Sequence, residues 1–251
     1  MIVKAIKTRV LNPPQDDLFQ VLDESIKHLE EKSILVVASK VVSIWQGRCV
    51  PIDSINKDEL IKKEADFYLP RDFTPHGWVM HTLKDGLFIA TAGIDLSNGK
   101  NFYILWPKNP IQAAENIRSL LKKKFGVKHL GVLIVDSHSV PLHRGLTGLS
   151  LGFAGFEPLR DYRGKKDLFG KTLEVSMANV ADSIATTANV VMGEGAEQTP
   201  LALISDIPFI RFIDKYKEPK DPYLSFKVPL SEDLFGPFIS QVPWKKGGGG
   251  K

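Results

Sequence analysis

The chain has 251 residues, 43% hydrophobic and 25% charged, with 33 lysines and arginines against 29 aspartates and glutamates, a formal net charge of +4. That balance excludes a disordered polypeptide and argues against a nucleic-acid binder, while the length suffices for a sizeable core. No stretch reaches the roughly 18 uninterrupted apolar residues of a membrane helix. The opening MIVKAIKTRV lacks the apolar block of a secretory signal, so a cytoplasmic protein without membrane contact is expected. Cys49 is the single cysteine. It excludes an internal disulfide or a multi-cysteine zinc site, and it reads as a structural residue of a strand-like GRCVPI.

Residues 2–10 read as a short β segment, broken at Asn12-Pro13-Pro14. Residues 16–31 place Leu18, Val21, Leu22, Ile26 and Leu29 on one helical face. SILVVASKVV follows, a buried strand over residues 34–37 with Ser39 and Lys40 where the strand leaves the core. A lysine there either contacts phosphate or is simply solvated. Residues 57–68 predict a charged surface helix, and RDFTPHGW a loop. His76, Trp78 and His81 lack a third ligand at characteristic spacing, so local packing is preferred to a metal site. GLFIATA reads as a strand ending in GIDLSNG, whose Asp95, Ser97 and Asn98 suit an Asx-type turn.

Residues 102–106 predict another strand. Asn109-Pro110 opens a helix to Phe125 that is expected to bury Ile111, Ala114, Ile117, Leu120 and Leu121; Lys122, Lys123 and Lys124 favour its C-terminal dipole. The run Val132 to Val135 is a buried strand expected to stop at Asp136, presenting a carboxylate at its mouth. Beyond it, Gly145, Gly148, Gly152 and Gly155 interrupt an apolar run too often for ordinary core. Residues 175–192 are an alanine-rich helical pattern, with Ala178, Ala181, Ala185 and Ala188 permitting close approach. It stops at GEGAEQTP, before a strand at residues 201–205. A proline-rich extension over 213–243 and a flexible tail over 244–251, ending in KKGGGGK, would follow a catalytic region spanning 1–212.

GIDLSN, VDSHS and GEGAEQ are polar loops that each follow an apolar segment. Acidic groups from separated loops suit hard divalent cations, which prefer oxygen ligands. Candidate ligands are Asp95, Asp136, the Ser137 hydroxyl and Glu194; Lys40, Arg144, Arg163 and Lys165 are candidates for phosphate or an acidic substrate. Neither a GxxxxGK[ST] loop nor a GxGxxG motif occurs. The residues alone lead to a metal-dependent enzyme.

Together GIDLSN, VDS, HRGLTG, FAGFEPLRDYRGKKDLFG, VADSIA and VMGEGAEQTP resemble, in order, the coenzyme F420-0:L-glutamate ligase family. The aromatic loop around Trp78, LWPKNP and SDIPFIRF resemble its bacterial subgroup associated with folate metabolism. The resemblance implies an α+β fold with a mixed sheet in two closely associated parts, and an intertwined homodimer. It further implies that GTP or ATP, with two divalent ions (Mg²⁺ or Mn²⁺), drives amide formation between L-glutamate and an acidic small-molecule acceptor. Asp95 would bind metal and Asn98 nucleotide. Asp136 and Ser137 would match a metal-binding Asp-Thr pair, and Ser39, Lys40 and the turn Met192, Gly193, Glu194, Gly195 would lie near the nucleotide. Ile44 stands where the family carries a phosphate-contacting lysine. His138 is a candidate general base or a supporting histidine. A metal-dependent phosphohydrolase and a nucleotide-binding regulator without catalysis are the alternatives.

Overall fold

The computed structural model describes residues 1–221 and 224–251. Its elements in chain order are β1 (Ile2–Ile6), α1 (Leu18–Ser25), β2 (Ser33–Ala38), α2 (Ser39–Trp45), β3 (Cys49–Pro51), α3 (Lys57–Glu64), β4 (Phe67–Tyr68), β5 (His81–Lys84), β6 (Leu87–Ala90) and β7 (Phe102–Ile104). There follow α4 (Pro110–Phe125), β8 (Leu130–Ser139), β9 (Leu146–Ala154), β10 (Leu159–Asp161), β11 (Met177–Asn179), α5 (Val180–Met192), β12 (Leu201–Ser205), α6 (Gly236–Ile239) and β13 (Lys245–Lys246). Met1–Val10, Asp17–Val42 and Lys108–Phe226 form one compact unit; Leu11–Asp16, Ser43–Pro107 and Lys227–Lys251 form the other.

The first unit is built on a mixed sheet of order β1-β12-β2-β8-β9. Its central pair, β2 and β8, is parallel, with Ser33 opposite Leu130 and Ala38 opposite Val135. Ile34, Leu35, Val36 and Val37 in β2, and Val132, Leu133 and Ile134 in β8, are wholly buried. Continuous apolar runs are what a strand covered on both faces requires. On one face Ile34, Val36, Leu133 and Val135 pack with Phe153, Phe156 and the α5 residues Ala181, Ile184, Ala185 and Ala188.

The glycines of β9 explain how closely the helices approach. A Cβ on Gly148 would lie 2.2 Å from the Ala185 carbonyl carbon of α5, and one on Gly152 would lie 2.5 Å from the Pro110 carbonyl carbon of α4. The pairing of β8 with β9 shifts register between Ile134 and Val135, which lets two glycines of equal parity face opposite helices. Helix α5 starts where the Asn179 side chain accepts from Asp182 N. Helix α4 starts at Pro110 and ends at left-handed Gly126. Both ends follow capping rules.

Several expected boundaries move. Helix α1 stops at Ser25, although Ile26 and Leu29 are still buried. Helix α4 leaves Ile111 and Leu120 exposed and buries Ala113 and Arg118 instead. The Arg118 guanidinium donates to the carbonyls of Leu130, Ile213 and Asp214, which satisfies it inside the core. Ala178 belongs to β11 and not to a helix. Strand β8 does not stop at Asp136 but runs on to Ser139, because β9 continues to pair with it as far as Leu146 opposite Ser139. What ends at Val135 is burial.

The second unit holds an antiparallel sheet, β13-β4-β5-β6, and the ribbon β3-β7. Leu60, Ile61, Ala65, Met80, Ala92, Ile94 and Leu105 form its core. Helix α3, expected at the surface, buries Leu60, Ile61 and Glu64. Glu64 Oε2 accepts from Arg48 Nη2 at 2.7 Å and Lys84 Nζ at 3.0 Å, and Lys84 also donates to the Glu64 carbonyl at 2.7 Å. Strand β5, unforeseen in HTLK, turns Thr82 and Lys84 inward. In the RDFTPHGW loop Arg71 bonds Asp58 and the carbonyls of Gly77 and Trp78. The His76 and Trp78 rings lie 5.0 Å apart, with Trp78 77% exposed, and His81 lies 5.3 Å from Phe88.

The end of the chain departs most from the flexible tail expected of KKGGGGK. Lys245 and Lys246 pair with Tyr68 and Phe67. The following N–H groups of Gly247, Gly248, Gly249 and Gly250 donate to the carbonyls of Asp66, Lys62, Ala65 and Lys63, each at 2.9 Å. The segment therefore satisfies the carbonyls that α3 leaves open at its C-terminus. Of the expected surface-wrapping extension over 213–243, residues 222 and 223 lie outside the described residues.

Candidate active site

In the first unit the site residues collect at the carboxyl edge of the parallel pair β2–β8. Ala38 is level with Val135, so Ser39 and Lys40, the first residues of α2, follow β2 where Asp136 and Ser137 continue β8. Carboxyl edges of parallel strands are the usual mouth of α/β sites. Ala38 N donates to the Pro200 carbonyl at 2.9 Å, and Thr199 Oγ1 donates to the Met192 carbonyl at 2.6 Å. These bonds fix the turn between α5 and β12 to the same edge. Ser137 Oγ donates to Glu194 Oε2 at 3.1 Å, and Ser137 N donates to Asp136 Oδ1 at 2.9 Å.

Asn189, which sequence reading missed, donates through Nδ2 to Glu194 Oε1 at 3.2 Å. It sits on the last turn of α5, five residues before Glu194, so Glu194 meets it by folding back over the helix end. Asp182 was also missed as a chemical group. Its carboxylate accepts from Ser150 N at 2.7 Å and from Asn179 Nδ2 at 2.6 Å. Burial pushes the half-buried His138 imidazole below the usual histidine range, and the charge of Asp182 opposes that shift. His138 therefore favours the neutral ring at neutral pH, the form that can accept a proton.

The GIDLSNG loop belongs to the second unit and is built separately. Asp95 is held by reciprocal backbone bonds with Ile104, 3.0 Å from Asp95 N to Ile104 O and 2.8 Å in return. Its Oδ1 accepts from Ser97 N at 2.8 Å and its Oδ2 from Ser97 Oγ at 2.7 Å, the Asx turn expected from the sequence. Asn98 takes a left-handed φ of 55°, which asparagine tolerates better than most residues. At Gly93 a Cβ would come within 2.1 Å of Trp106 Nε1, so the indole fixes the start of this loop.

Thus Asp136, Ser137 and Glu194 stand together, with Ser39 and Lys40 on the same edge. Asp95 and Asn98 are positioned by the other unit. Among the described residues no group of three or more histidine, cysteine, aspartate or glutamate side chains forms a metal cage. The first-unit donors are all oxygens, a set that fits a hard divalent ion completing its shell with water or phosphate. Ile44 is buried, 3% exposed, and so presents no phosphate contact. Arg163, a basic candidate, is instead engaged by Asp161 and Asp221. No helix among the described residues is long and apolar enough to cross a membrane.

The chain is similar to known proteins over most of its length. Residues 5–206 match the family described as F420-0:Gamma-glutamyl ligase. The chain is 34% identical over 197 residues to the coenzyme F420:L-glutamate ligase of Methanocaldococcus jannaschii, covering 72% of this chain and 79% of that protein. It is 32% identical over 203 residues to the enzyme of the same name from Archaeoglobus fulgidus, covering 75% and 81% respectively. With that of Methanopyrus kandleri it shares 29% over 240 residues, or 88% and 92% of the two chains. All the residues assembled at the two loops and the strand edge lie inside the matched region, and the chain belongs to the F420-0:gamma-glutamyl ligase family.

Proposed function

We propose that the chain is a nucleoside-triphosphate- and divalent-metal-dependent γ-glutamyl ligase that joins L-glutamate to an acidic small-molecule acceptor, coenzyme F420-0-like or folate-like. The observation that carries this reading is the convergence of Ser39, Lys40, Asp136, Ser137 and Glu194 on one strand edge. An acceptor carboxylate is a poor acyl donor. Its oxygen would attack the γ-phosphorus of GTP or ATP, the bond to the nucleoside diphosphate would break, and the acyl phosphate would be captured by the glutamate amine with release of phosphate.

Lys40 would orient the anionic phosphates, while Asp136, Ser137 Oγ and Glu194 would hold one Mg²⁺ or Mn²⁺ and Asp95 would contribute to a second. Ions held there would supply positive charge to offset what develops in phosphoryl transfer. Asn98 and the Met192, Gly193, Glu194, Gly195 turn would bind nucleotide. His138, neutral and close to Asp136 in the chain, is suited to take the proton released by the attacking amine. The active form is a homodimer in this reading.

Purified protein with Mg²⁺ or Mn²⁺, L-glutamate and GTP or ATP would be offered a folate monoglutamate or the deazaflavin acceptor, each followed by mass spectrometry. Gain of one or more glutamyl units is the expected result, lost in Asp136→Asn with the circular dichroism spectrum unchanged. Phosphate release without glutamate or acceptor would instead make the chain a phosphohydrolase, and tight nucleotide binding without turnover a regulator.

A further inference from the structure

The first unit carries a second concentration of positive charge, on and beside the β10–β11 ribbon, that the ligase reading does not use. Arg160 and Arg163 stand there, three positions apart, in contrasting states. Arg163 bonds both oxygens of Asp161, at 2.9 to 3.1 Å, and reaches Asp221 at 3.3 Å. These partners raise its pKa further above the ordinary arginine range. Asp161 and Asp221 are therefore committed to Arg163.

Arg160 has neither of them. Its guanidinium carbon lies 4.7 Å from the Tyr162 ring centroid and 4.3 Å from that of Phe209. Its Nη1 is buried with no hydrogen-bond partner among the described residues. Lys165 Nζ adds a second cation 5.0 Å from the Tyr162 ring.

Aromatic faces attract a cation but leave its directional N–H donors unused. A buried, unpaired donor is unfavourable, more so on a charged group. A guanidinium packed against two rings, with a buried Nη1 donor that lacks a protein acceptor, is matched by a carboxylate or phosphate, which can take two parallel bonds. We propose that Arg160, clamped by Tyr162 and Phe209 and assisted by Lys165, is a binding site for an oxyanion, the carboxylate or phosphate of a small anionic ligand. Arg160 is itself partly exposed, and Phe209, the ring over it, is 74% exposed, so an anion would reach Nη1 by displacing that ring. The site is distinct from the strand edge. The Pro158 carbonyl, just before β10, accepts from Val180 N and Ala181 N at the start of α5, whereas Glu194 follows the end of that helix, roughly 20 Å away for its 13 residues.

The test needs no ligase activity. The protein is treated with phenylglyoxal while inorganic phosphate or acetate is titrated, and modification is mapped by peptide mass spectrometry. Arg160 is expected to be protected progressively, with Arg211, whose side chain is 75% exposed, as the unprotected reference. Protection by phosphate alone, by acetate alone or by both identifies the oxyanion. In calorimetry, Arg160→Gln is expected to lose one phosphate site per chain and to melt no lower than the parent, because the unpaired donor is gone. Equal modification of Arg160 and Arg211 at all anion concentrations would overturn the proposal. So would an Arg160→Gln variant that melts lower with its phosphate stoichiometry intact, since Arg160 would then only stack.

Discussion

Gly148→Ala tests whether the close seating of α5 on β9 positions the Glu194 turn. The new methyl would stand 2.2 Å from the Ala185 carbonyl carbon and 2.3 Å from Thr186 N, against the 3.4 Å at which ordinary contact begins. Both obstacles are backbone, so no side chain can rotate away, and α5 must retreat by about 1.2 Å. Overpacking of this kind typically costs about 1 to 3 kcal/mol. For a chain of this size that corresponds to a fall in Tm of roughly 2 to 12 °C. The same retreat draws Glu194 from Ser137 Oγ, now 3.1 Å away, so glutamate ligation per folded molecule should fall as well. Gly152→Ala is the control: its methyl would meet Pro110 and Ile111 backbone at 2.5 and 2.6 Å, displacing α4 on the other face. It should lower Tm comparably while ligation per folded molecule is retained. If Gly148→Ala melts within about 1 °C of the parent, or if both variants lose ligation equally, the packing of α5 is not what sets Glu194, and the reasoning fails.

Glu64→Gln should lower the urea unfolding free energy by about 3 to 5 kcal/mol, because the buried Lys84 and the partly buried Arg48 would be left without their carboxylate; a loss below about 1 kcal/mol would contradict that account. Burial lowers the pKa of His81 and His138, so the folded state binds fewer protons than the unfolded one. Their contribution to stability is complete above the ordinary histidine value of about 6.5 and disappears as pH falls through that value toward the depressed ones. Stability of the His81→Gln/His138→Gln variant should then vary less between pH 7 and 5 than that of the parent, and a steeper dependence would reverse the sign. Gly247→Val would set a side chain against the Ala65 carbonyl, whose oxygen lies 2.1 Å from the Cβ position. Amide exchange at residues 247–250 should become fast, and protection equal to the parent would mean that the glycines are not required by the close approach.

Where the local physics is strong, the sequence sufficed. Strand β12 falls on residues 201–205 as expected, and α4 runs from Pro110 to its glycine cap, because an apolar run, an N1 proline and a left-handed glycine each act within one turn. The Asp95 loop was legible for the same reason: Asp, Ser and Asn satisfy their own backbone. Asp136 was placed correctly at the edge of the core but wrongly at the end of its strand. Composition reports where burial stops, whereas pairing stops where the partner strand does, and β9 carries β8 on for four further residues, Asp136 to Ser139.

What the sequence concealed depends on partners far away in the chain. Glu64 reads as one more charge on a lysine-rich helix; only Arg48 and Lys84, 16 and 20 positions away, make it a buried group. The terminal glycines read as a linker because nothing local restrains them, yet the same absence of side chains lets their backbone lie against the end of α3. Glycine in a run is therefore ambiguous by itself. It signals freedom when the neighbouring backbone has its hydrogen bonds, and close docking when a helix end nearby still offers carbonyls. The family match ends at residue 206, so the docked terminus lies outside what the match covers. Its hold on α3, which carries Glu64 and through it Arg48, reaches the Asp95 loop by a short path: Arg48 Nε donates to the Trp106 carbonyl, and the Trp106 indole fixes Gly93. A residue that reads as a tail thus stands a few contacts from a carboxylate that reads as a ligand, within one folded unit.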